Sequence, residues 1–90
     1  MAIADVFSAL SDPTRREILA CLREGDRTAG ELSERFPLAK STLSGHFSVL
    51  REAGLIVSER QGTRIVYSIN QSAVEEALEQ ILRLLRPGGA

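Results

Sequence analysis

The chain has little of what catalysis, covalent stapling or membrane insertion requires. Its 90 residues contain one cysteine, Cys21, and one histidine, His46. A lone cysteine excludes a disulfide within the chain and a metal site made of thiolates alone. With no glycine-rich phosphate loop and no nucleophile–base spacing, no catalytic set is assembled, so the chain reads as a non-enzyme without a cofactor. No apolar run approaches the roughly 18 residues that cross a bilayer. The start, MAIADVFSALSD, carries Asp5 in place of a basic leader region. The expectation is a cytoplasmic protein with no membrane insertion. No repeat, low-complexity stretch or linker divides residues 1–90, which read as one domain near the lower size for a single apolar core.

The net charge of −1 argues at first against a nucleic-acid partner, and its distribution argues the other way. Residues 1–34 carry four arginines against seven acids, and residues 65–90 two arginines against three acids. Residues 35–64 carry five basic side chains against two acids. A local basic patch is what phosphate responds to, and this one sits in the middle third.

Apolar spacing and punctuation divide the chain into short elements. Ile3, Val6, Phe7 and Leu10 form one side of a first helix. Asp12 is an N-cap candidate, Pro13 suits the first position of a second helix, and Gly25 ends that helix. Thr28 and Glu31 match a capping box that opens a third, short helix, closed at Pro37. A fourth helix runs from about Ala39 or Lys40 to Ala53, with Gly54 after it. The two short helices make a helix-turn-helix over about 28–54. LIVSERQGTRIVYSI then reads as a β-hairpin over about 55–69, turning at RQGT. SAVE at 72–75 matches a second capping box and launches a last helix over about 72–86, with Val74, Leu78, Ile81, Leu82 and Leu85 as its apolar residues. A hairpin directly after a helix-turn-helix is a winged helix: mainly α, with a small β-hairpin.

The fourth helix, STLSGHFSVLREAGL, is unusual in its polar face. At about 100° per residue, Leu43, Phe47 and Leu50 share a stripe that should be buried. The opposite arc holds Ser41, Ser44, Gly45 and Ser48, with Lys40 and Thr42 nearby. Solvated faces ordinarily carry long charged side chains that favour helix. Short hydroxyls and a glycine suit a helix that enters a DNA major groove, where N-terminal residues of such helices meet base edges. Small residues also line close helix packings, so the helix alone does not decide. The hairpin tip adds the decisive feature: Arg60 and Arg64 flank QGT, and guanidinium groups suit phosphate and the narrow minor groove. Thr28 and Thr63 are further phosphate donors. His46 borders the buried stripe and reads as a structural hydrogen-bonding residue, and Arg15 and Arg16 as structural ion pairs. Cys21 falls beside the Ile18/Leu22 stripe as a small core or interface residue.

LSDPTRREIL, TAGELSERF, STLSGHFSVLREAGLI and RQGTRIVYSI together resemble the ArsR/SmtB family of bacterial winged-helix repressors, and within it the SdpR-type autorepressor group. The resemblance spans roughly residues 5–85. It implies a homodimeric transcriptional repressor on an inverted repeat in double-stranded DNA, with the first and last helices as the dimer interface. By matching position it implies DNA contacts from Ser41, Thr42 and Ser44, and from Arg60 and Arg64 in the wing. Two positions depart from the family pattern: Gly45 where relatives often carry a polar reader, and Ala39 where they commonly carry a serine cap. Metal-sensing relatives use a Cys-x-Cys in the first helix of the motif, or Asp and His on the terminal helix. Here those segments read AGELSERF and AVEEALEQILRLLR, so neither site is matched. A redox-responsive repressor using Cys21, and a winged helix used for protein contacts, remain as alternatives. An inducer or antagonist protein is left open.

Overall fold

A computed structural model describes residues 2–89; the two ends of the expected 1–90 domain, Met1 and Ala90, lie outside the described residues. The order of elements is α1 (Ile3–Leu10), α2 (Pro13–Glu24), β1 (Arg27–Thr28), α3 (Ala29–Arg35), α4 (Lys40–Glu52), β2 (Ile56–Gln61), β3 (Arg64–Ile69) and α5 (Gln71–Leu85). A 3-10 turn, Pro87–Gly89, follows.

Local chemistry accounts for the boundaries. Asp12 accepts from the backbone N–H of Thr14 at 2.8 Å and of Arg15 at 3.2 Å, with Pro13 at the first position of α2. α4 ends in a Schellman arrangement: Gly54 donates to Arg51 at 2.9 Å and Leu55 to Leu50 at 3.0 Å. Gly54 has φ 79°, which a side chain would resist. In the hairpin Gln61 pairs with Arg64, so Gly62 and Thr63 alone form the turn, with Gly62 at φ 64°. Glycine first in a two-residue loop is the type II′ pattern.

Two features differ from the expectations. β1 is absent from the sequence reading; it pairs antiparallel with β3, Arg27 opposite Tyr67 and Thr28 opposite Val66, giving a sheet in the order β1-β3-β2. Two residues are too few to show a period of two. The second correction concerns α5, whose N-cap is Asn70, accepting from the N–H of Ala73 at 3.3 Å, and not Ser72. Asn70 donates its own N–H to Leu55 at 2.9 Å, which anchors the end of β3 and starts the helix ahead of SAVE.

The core gathers one face from every helix. Val6, Ile18, Leu22, Leu32, Leu43 and Leu50 are wholly or almost wholly buried. The sheet joins through Ile56, Leu55 before it, and Tyr67, whose ring lies 4.5 Å from that of Phe47 at 37°. That aromatic contact packs the base of the hairpin against α4. Cys21 is part of the same core.

Candidate nucleic-acid interface

α3 and α4 meet through a turn at Phe36–Ala39, where Leu38 donates to Phe36 at 2.8 Å. α3 is held by a closed capping box: Thr28 Oγ1 accepts from Glu31 N–H at 3.1 Å, and Glu31 Oε1 accepts from Thr28 N–H at 2.8 Å. The Glu31 carboxyl is held below its ordinary value by the hydrogen bonds from the Thr28 backbone and side chain, with Arg27 and Arg64 adding to the effect. Thr28 therefore has its hydroxyl committed beside a carboxylate. The carboxylate beside it makes this a less favourable place for a phosphate than the exposed start of α4.

α4 lies with Leu43, Phe47 and Leu50 inward, as its spacing predicts. Lys40, Ser41, Thr42, Ser44 and Gly45 are all exposed, and Ser48 is half-buried. A Cβ on Gly45 would meet nothing within 4 Å, so nothing within the chain requires glycine there. The N-cap Ala39 makes no side-chain bond, and the first turn has no acid. Lys40 instead adds positive charge to the free N–H groups of the helix start. A solvated helix gains from the opposite choice, whereas a helix meeting phosphate gains from this one.

Along the hairpin, residues 60–64 are exposed throughout. The register puts Arg60 opposite Ile65 and Gln61 opposite Arg64. Paired residues share a face and successive residues alternate. Arg60 therefore lies on the face of Ile65 and the buried Tyr67, and Arg64 on the other face, with Gln61 and Val66. The two arginine side chains, expected together at the tip, start from opposite faces of the hairpin. Arg64 is near enough to Glu31 to help depress its carboxyl. Thr63 is exposed in the turn between them.

Arg15 and Arg16 are structural, through helix carbonyls and not through ion pairs. Arg15 Nε donates to Ala9 O at 2.8 Å and Nη2 to Ser8 O at 3.0 Å, while Arg16 Nη1 donates to Leu10 O at 2.7 Å. These are carbonyls of the last turn of α1, which otherwise lacks a basic residue. His46 meets Arg15, Nη1 to Nδ1, at 3.2 Å.

The expected dimer surfaces are sorted by burial. Val6 is 0% exposed, filling its own core, and has no surface to offer a partner. Ile3, Leu10 and Val74 are half-buried against that core, and Ile81 is half-buried as well. Phe7, Leu78, Leu82 and Leu85 stay exposed, Leu85 at 76%. Leu84, unmarked in the sequence reading, is 75% exposed beside it. Its position off the Leu78/Leu82/Leu85 spacing concealed it.

A recognition-sized helix with a short-chained polar face, followed by a hairpin with arginines at its tip, defines a winged helix-turn-helix regulator of transcription. Residues 12–58 match the family described as bacterial regulatory protein, arsR family. The chain belongs to that family. It is 39% identical to the transcriptional repressor SdpR of Bacillus subtilis (strain 168) over 84 residues, covering 93% of each chain. It is 34% identical to the HTH-type transcriptional regulator CmtR of Mycobacterium tuberculosis (strain ATCC 25618 / H37Rv) over 84 residues, 93% of this chain and 71% of that one. Among solved structures, an ArsR-like transcriptional regulator from Rhodococcus sp. RHA1 superposes with a TM-score of 0.82 at 33% identity, covering 91% of this chain and 77% of the other.

Proposed function

We propose that this chain is a homodimeric, sequence-specific repressor that binds an inverted repeat in double-stranded DNA and represses its own gene. α4 enters the major groove, with Ser41, Thr42 and Ser44 at base edges and Lys40 at a phosphate. Arg60, Thr63 and Arg64 of the hairpin take the flanking backbone or minor groove. The observation that carries this reading is the uncapped, acid-free start of α4, exposed with small hydroxyls where stability alone favours a cap and a carboxylate. The dimer forms through the exposed apolar residues Phe7, Leu78, Leu82 and Leu85, which a monomer leaves in water. The role places the protein in the cytoplasm and assigns it no catalytic step, no cofactor and no metal. A disulfide between two Cys21 residues is disfavoured, since Cys21 is 3% exposed and both cores would have to open.

Selection from a random duplex pool tests the reading. It should return an inverted repeat with half-sites about one helical turn apart, overlapping the protein's own promoter. Affinity should fall steeply with salt, and alanine at Arg60 or Arg64 should lower the salt slope by about one each. A folded dimer that enriches no sequence would sink the proposal in favour of a winged helix used for protein contacts.

A further inference from the structure

Arg15 joins three helices through one side chain. Its backbone belongs to α2, its Nε and Nη2 hold the Ala9 and Ser8 carbonyls of α1, and its Nη1 reaches His46 of α4 at 3.2 Å. A guanidinium only donates, so this bond requires Nδ1 of His46 as its acceptor, with the ring proton on Nε2. His46 lies two residues beyond Ser44, half-buried on the flank between the inward stripe and the exposed face.

We propose that Arg15 is a positioning residue for DNA reading: by holding neutral His46 it sets the angle at which α4 stands against α1. The proposal rests on the repressor reading above. The inward stripe of α4 is apolar, and apolar contact resists separation better than it resists rotation or sliding, because it has no direction. A hydrogen bond supplies the direction. It acts on a helix whose first turn has no cap of its own. Because α1 also carries Phe7 of the proposed dimer surface, the contact transmits the dimer's geometry to the two recognition helices.

Protonation of His46 removes the acceptor and sets an imidazolium against a guanidinium. The carboxylate at this junction is Asp12, at the start of α2, which already accepts from two backbone N–H groups. Asp5 of α1 faces α4 further along, beside Val49, Glu52 and Ala53. One turn either side of His46, positions Thr42, Leu43, Val49 and Leu50 carry no charge. Loss of the contact should therefore follow protonation of this ring, and reading of DNA should weaken with it.

The test compares affinity for the selected inverted-repeat duplex with affinity for a random duplex. It uses the full chain, from about pH 7.5 to about pH 5.5. The specific-to-random ratio of the unaltered protein should fall at least about tenfold on acidification, as expected for losing a charge-assisted hydrogen bond. Arg15→Met should show the low ratio at every pH. His46→Asn, whose Oδ1 stands where Nδ1 does and accepts from Arg15 at any pH, should keep a high and flat ratio. A folded Arg15→Met dimer with an unchanged ratio overturns the proposal. If Arg15→Met does not fold, an identical acid fall in His46→Asn overturns it instead. A ratio that rises on acidification also overturns it, by placing His46 on a phosphate. An unaltered protein that selects no duplex overturns the repressor reading and this one together, whereas selection without these dependences overturns only this one.

Discussion

α3 begins on a box closed from both sides, Thr28 with Glu31, and α4 begins on Ala39, whose side chain accepts nothing. α3 carries its acid in the first turn and its arginine in the last, as the helix dipole favours; the first turn of α4 carries Lys40 and no acid. α3 is 7 residues long and α4 is 13, so the shorter helix has the stronger start. The two helices are held in different ways. A seven-residue helix does not persist without caps. α4 is held by its buried stripe, and that frees its N-terminal face for chemistry that does not favour folding.

The comparison can be broken by single substitutions, the largest effect first. Ser44→Ala should cost about 1–3 kcal/mol of discrimination at particular base pairs while leaving the melting temperature unchanged, because Ser44 is exposed. Equal losses on selected and random duplexes would remove Ser44 from base reading. Thr28→Ala should destabilise the fold by about 1 kcal/mol, which a domain of this size reads as a fall of about 4–8 °C in Tm. Its counterpart, Ala39→Ser, should stabilise by up to about the same amount and slow hydrogen exchange at the start of α4. Opposite signs for the two are the expected result. Gly45→Ala should stabilise by about 0.5–1 kcal/mol, since its Cβ meets nothing, yet weaken binding to the selected duplex by lining the groove-facing side with a methyl.

Acid separates the helices more gently. Partial desolvation works to raise the Asp12 carboxyl, but the N–H groups of Arg15 and Thr14, with the charges of His46, once protonated in acid, and of Arg15, outweigh it and hold it below its ordinary 3.8. Glu31 is held below 4.5 by its bonds to Thr28. Both groups bind a proton less readily folded than unfolded. Their stabilisation is complete above those ordinary values and is lost as pH falls through the lowered ones. Hydrogen exchange below about pH 4 should therefore show the first turns of α2 and α3 loosening, while the uncapped start of α4 changes little. Uniform loosening of all three would show that the caps do not act locally.

Most of the architecture was legible because its signals are local. Asp12–Pro13, Thr28 with Glu31, Gly54 and the Gly62–Thr63 turn each act within four residues, and each occurs where its chemistry predicts. The wing was legible as a hairpin, but its arginines were read as a pair; their opposite faces follow only from the Gln61–Arg64 register. Ser72 competed with Asn70 for the start of α5 and lost, because the Asn70 N–H is tied to Leu55, fifteen positions earlier. Val6 fitted an amphipathic stripe whose outer limit the spacing did not mark.

Local signals along the chain are enough for the succession of helices, the hairpin and the family, and the absence of long polar residues singles out the short-chained face of α4. These depend on capping, turn geometry and period, which neighbours along the chain decide. Tertiary structure alone decided that β1 joins the sheet, that Val6 goes inward while Leu84 stays in water, and that Arg15 meets His46. Those outcomes turn on the packing of residues far apart in the chain, where a contact 31 positions long leaves no mark on either segment.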